Sequence, residues 1–148
     1  MSYSQDLARA GVPSFDLGAC RQSDYESETL DFHHLDLVGA TLECYISETP
    51  DAESRLATLV VNKLTQTKSY QAFIDECRFQ EDWIPCGENP SDLMSTTSIN
   101  ISSAQSSLAA LPRASIKGEP VTFYYTLRQT APTQDVILAG QFHLTETA

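Results

Sequence analysis

A chain of 148 residues is long enough to bury a sizeable core and reads as one domain. Hydrophobic residues make up 41% and charged residues 20%, which excludes a globally disordered chain. Nine lysines and arginines against 20 acidic residues give a net charge of −11, which argues against nucleic acid and anionic membranes as partners.

Residues 1–30 read as a polar, acidic N-terminal arm or edge segment, punctuated by Gly11, Pro13 and Gly18. Asp24, Glu26, Glu28 and Asp31 read as a row of like charges that would project from one face of a strand. They read as a solvated edge, or as an arm that orders against a neighbouring subunit. On the arm reading, residues 2–25 are dispensable for folding and required for docking, with Tyr3 and Phe15 as candidate partner-binding aromatics.

Gly39 suits a bend, and Ala40, Leu42, Cys44 and Ile46 then alternate with Thr41, Glu43 and Tyr45 as in a half-buried strand. A polar turn with Pro50 leads to 56–64, whose β-branched centre favours a strand. Tyr70, Phe73, Ile74 and Cys77 have helical spacing, so 69–79 suggests a short amphipathic helix, although Phe73, Cys77 and Phe79 also fit alternation. Trp83 lies in a proline- and glycine-marked loop reaching Pro90 and reads as a core plug beside Ile84, or as an interface anchor.

The last third carries the clearest pattern. Ile99-Asn100-Ile101 alternates, 102–112 reads as a short helical turn closed by Pro112, and 121–127 with 136–144 forms a hairpin. Val121, Phe123, Tyr125 and Leu127 share one face, leaving Tyr124 with Thr122 and Thr126 on the other as a further candidate contact. Both faces of 136–144 carry apolar residues, which places that strand inside the fold or at a subunit contact.

No phosphate-binding, dinucleotide-binding, zinc-protease or nucleophile-elbow motif occurs. His33 and His34 are adjacent, so on a strand they would face opposite sides and not chelate one metal. Cys20, Cys44, Cys77 and Cys86 lack close-spaced pairs and read as buried free thiols rather than as a zinc site. A Cys44–His143 dyad has no local sequence support. The expectation is therefore no catalytic, cofactor-binding or metal-ligating residue. Met1–Leu7 has no export-signal pattern and no apolar run approaches the ~20 residues of a membrane span, so cytoplasmic synthesis without export is expected.

Two segments resemble a known module. Leu35-Asp36-Leu37-Val38-Gly39-Ala40-Thr41-Leu42 is similar to the "DLTGATV" strand start of small β-sandwich modules in tailed-phage proteins, such as the N-terminal domain of baseplate upper proteins. The stretch from Ile99 to Pro112 resembles that module's "LTLSAAQTAAL" strand and turn. Phe123–Leu127 and Ile137–Thr145 stand where the family has its "YDLEL" and closing "LLxGxFxVT" strands. The resemblance implies a non-catalytic virion component that docks one structural part onto another. The expected fold is mainly β: an Ig-like antiparallel β-sandwich over 31–148 with one or two short helices, preceded by the arm. Expected partners are other virion proteins (tail, baseplate or major capsid protein) and further copies of the chain, with no nucleic acid, membrane or cofactor. The alternatives are a small acidic binding module outside the virion and a Cys/His-dependent enzyme.

Overall fold

The computed structural model describes residues 14–50 and 55–146. These residues form β1 (Leu17–Cys20), β2 (Tyr25–Glu26), β3 (Leu30–His33), β4 (Thr41–Ser47), β5 (Ala57–Ser69), α1 (Tyr70–Asp75), β6 (Leu93–Ser103), α2 (Gln105–Ala109), β7 (Val121–Ala131) and β8 (Asp135–Thr145). The protein is mainly β, of the sandwich or barrel type, with two short α-helices among the described residues. Hydrogen-bonded strand order is β1-β8-β7-β4-β5-β6-β2, with β3 also on β6. The β4–β5, β4–β7, β7–β8, β2–β6 and β3–β6 pairs are antiparallel, whereas β1 runs parallel to β8.

Contacts divide the chain into two compact units. The first comprises Met1–Glu28, Ala40–Val61 and Ile101–Ala148; the second comprises Thr29–Gly39 and Asn62–Asn100. In the first unit, period-two alternation places Cys44 and Ile46 of β4 and Phe123, Tyr125 and Leu127 of β7 in the core. Leu138, Phe142 and Leu144 of β8 join them, and each such buried side chain contributes about 1.5–3 kcal/mol of transfer free energy. β8 lies between β1 and β7, so both its edges are paired, and it buries Ile137 and Ala139 on one face as well as Leu138, Phe142 and Leu144 on the other.

Arg21, directly after β1, is 2% exposed. Its Nη1 donates to the carbonyls of Leu108 (3.1 Å) and Leu111 (2.6 Å), and its Nη2 donates to that of Pro112 (2.9 Å). Its Nε pairs with Glu146 at 3.0 Å, and Arg113 pairs with the other Glu146 oxygen at 2.5 Å. A single guanidinium thus gathers carbonyls at and just beyond the end of α2 and ties β1 to the segments after α2 and β8. Deleting residues 2–25 would remove a paired strand and this buried cation, so that deletion cannot leave the expected folded monomer.

In the second unit, Ser69 caps α1 by accepting the Ala72 N–H at 3.2 Å, and the helix buries Tyr70 and Phe73. The helix stops at Asp75, short of the expected Phe79. Cys77 takes φ 59°, and its N–H and that of Arg78 reach back to Ile74 and Phe73 at 2.9 and 3.0 Å. This left-handed cap turns the Cys77 thiol outward, off the apolar face on which helical spacing placed it. Cys86 is likewise exposed and Cys20 half-buried; of the four free thiols only Cys44 is the buried small hydrophobe expected.

Candidate docking surfaces

In the first unit the N-terminal segment lies closely against β8. The Phe15 N–H donates to the Ala139 carbonyl at 3.1 Å, and the Gln141 N–H donates to Asp16 Oδ1 at 3.0 Å. The Tyr125 hydroxyl donates to the Phe15 carbonyl, and Tyr125 stands opposite Gly140 in the β7–β8 register. A Cβ on Gly140 would sit 2.9 Å from the Phe15 carbonyl carbon and closer still to its oxygen, so only glycine admits this crossing. The Phe15 side chain remains 43% exposed.

β1 and β2 both line a groove of about 290 Å³ in this unit. In the parallel β1–β8 ladder, Phe15 and Arg21 direct their N–H groups to β8, so the intervening even-numbered Gly18 directs its N–H and C=O to the outer edge. In the antiparallel β2–β6 pair, Ser27 bonds Ile101, which leaves the N–H and C=O of Glu26 directed away from β6. Gly18 and Glu26 both line the groove, as do Asp16 and Glu28. Three carboxylates and no lysine or arginine are among its described lining residues. Tyr25 closes its inner side, with its ring 5.5 Å from that of Phe142 in an edge-on contact; burial and the neighbouring Cys44 push its hydroxyl up to about 12.

The second unit presents a different surface. Phe79 is its hub, with the rings of His33 at 5.1 Å, Tyr70 and Trp83 at 5.5 Å and His34 at 6.3 Å. Trp83 closes a 3₁₀ turn over Glu81–Trp83 and is 50% exposed, which corrects the core-plug expectation: Tyr70, Phe73, Phe79 and Met94 already fill the core below it. The two histidines do not face opposite sides as expected. β3 ends at His33, and His34 adopts φ 63°, which turns both rings onto Phe79.

Beside this cluster Arg78 holds Asp31. Its Nε contacts Asp31 Oδ2 at 2.9 Å, while Nη1 and Nη2 reach Gln66 and Ser98 at 2.7 and 2.9 Å. Burial works to raise the Asp31 carboxyl, but hydrogen bonds from Arg78 and Ser98 and the arginine charge together hold it below the usual carboxylate range. Burial lowers the His33 imidazole, against the pull of Asp31, and its Nδ1 lies 3.0 Å from the Thr96 hydroxyl. The acidic row expected from Asp24 to Asp31 is therefore not one strand face. It is split between β2, a loop and β3, and its last member is ion-paired.

Of the candidate contact residues, Phe15 borders the groove, Trp83 belongs to the second unit's aromatic surface, and Tyr3 lies outside the described residues. Tyr124 is half-buried on the face of β7 opposite that of Tyr125, so it does not join Phe15. Cys44 and His143 do not form a dyad. Cys44 pairs with Leu127 and His143 with Thr122, five residues away along β7, which separates them by roughly 16 Å along the strand alone. Burial also pushes the Cys44 thiol up to about 12, and His143 is exposed beside the Thr122 hydroxyl at 3.1 Å. No group of three or more potential metal ligands occurs among the described residues. No protein-family model, curated protein or solved structure matches the chain.

Proposed function

We propose that the chain is a non-enzymatic structural protein of a tailed-phage particle, assembled in the host cytoplasm, that docks one virion part onto another. Its site is the tail, baseplate or fibre-attachment region, or the capsid as a decoration protein, and it acts as a homo-oligomer. The observation that carries the reading is where the four resembling segments lie. Leu35–Leu42 leads into β4, Ile99–Pro112 ends β6 and contains α2, and the other two are β7 and β8. β4, β7 and β8 are neighbours in the sheet, and this adjacency supports the reading. Short edge strands at β1 and β2, together with exposed Phe15 and Trp83, supply strand-pairing and aromatic contacts suited to docking.

Quantitative mass spectrometry of density-banded particles tests the role. Hundreds of copies per particle mean capsid decoration, a few to tens mean the tail, and absence from particles overturns the proposal. A binding module outside the virion is the second reading, favoured by the acidic groove between β1 and β2.

A further inference from the structure

We infer that the groove between β1 and β2 receives an extended, lysine- or arginine-bearing segment of a partner protein, which adds as a short strand to the edge of β1. This rests on the docking role above and names the surface and the chemistry of its occupant.

Three features of one place support it. The first is the backbone: Gly18 on β1 and Glu26 on β2 turn their N–H and C=O groups toward the groove rather than into their own ladders. Such unpaired edges are the template for strand addition, in which main-chain hydrogen bonds supply affinity. The second is charge: Asp16, Glu26 and Glu28 line the groove without a described cation to neutralise them, and the chain carries −11 overall. An acidic incoming strand would be repelled, whereas a basic one is steered in and held. The third is preorganisation. The β1 edge is fixed by its pairing with β8, by the Asp16–Gln141 bond and by Arg21, so little ordering cost remains on this side. β1 has four residues, about 13 Å, which sets the length of the paired segment at about four residues.

The geometry also supplies a selective variant. The Gly18 N–H points outward, so Gly18→Pro removes the docking donor and leaves the β1–β8 ladder intact, the edge position where proline is accepted in sheets. Glu26→Lys with Glu28→Lys reverses the charge and keeps the backbone edge, and it serves if the proline variant misfolds.

The test is an NMR titration of the full chain with a synthetic hexapeptide alternating lysine and valine, and with its glutamate–valine counterpart. The expected result is shifted, exchange-protected amides at Gly18 and Glu26 with the lysine peptide. Affinity should be at least tenfold weaker for the glutamate peptide, for Gly18→Pro and for the double charge reversal. Absent shifts at millimolar lysine peptide, equal binding of both peptides, or shifts confined to another surface would overturn the inference. The two proposals fail separately. Binding at the groove by a chain absent from particles keeps the groove and sinks the virion role, while normal particle incorporation of folded Gly18→Pro does the reverse.

Discussion

Replacing Gly140 by alanine should detach the N-terminal segment from β8. The new Cβ would lie 2.9 Å from the Phe15 carbonyl carbon, inside any tolerated contact, and the obstructing atoms are backbone rather than a flexible side-chain tip. Relief requires Phe15 to lift, which breaks the Phe15–Ala139 and Asp16–Gln141 bonds and leaves the Tyr125 hydroxyl without the Phe15 carbonyl. At about 1 kcal/mol net per hydrogen bond, the loss is about 3 kcal/mol. Gly18→Ala is the internal control, because its Cβ meets the His143 carbonyl at an ordinary 3.7 Å and the change should stay within about 0.5 kcal/mol of neutral. Urea unfolding gives both values, and amide exchange at Phe15 and Gln141 locates the effect. A Gly140→Ala protein as stable as Gly18→Ala, with those amides still protected, would refute the close-crossing argument.

Arg21→Met should cost about 2–3 kcal/mol in urea unfolding, since it removes one of the two cations on Glu146 and takes their donor from the carbonyls of Leu111 and Pro112. A loss under 1 kcal/mol would mean that water replaces the guanidinium. The pH dependence of stability has a definite sign. His33 is lowered in the native state, so its contribution is full above 6.5 and is lost as pH falls below that value; Asp31, also lowered, adds a second loss below 3.8. Thermal unfolding across this range should show both limbs, with the lower one reduced in Asp31→Asn; an unchanged lower limb would contradict the Arg78 pairing. Thiol titration with an aromatic disulfide should modify Cys77 and Cys86 fast and Cys20 more slowly, and reach Cys44 only after unfolding, because Cys44 is fully buried with its thiol pushed up to about 12. Fast reaction of Cys44 would contradict the placement of β4.

The strands of the first unit were legible because alternation survives where one face is buried: Phe123, Tyr125 and Leu127 read correctly from spacing alone. The ends of elements were less legible. α1 stops at a non-glycine residue in left-handed conformation, Cys77, a position without the usual glycine signal. Trp83 stays at the surface because Tyr70, Phe73, Phe79 and Met94 fill the core, and spacing alone does not rank which of several neighbouring aromatic residues goes inside. Arg21 offers no sequence cue, since its partners lie 87–125 residues away. Gly140 did carry a cue: a glycine inside an otherwise apolar strand signals a close backbone approach. The docking groove depends on which backbone groups remain unpaired, and that follows from register rather than residue type.

Hydrogen exchange compared between the free chain and the chain in purified particles tests docking through the β1–β2 edges most directly. The chain should sediment with the particles, and its peptides covering 14–28 should gain protection. Failure to sediment with particles, or protection confined to segments away from 14–28, would contradict it.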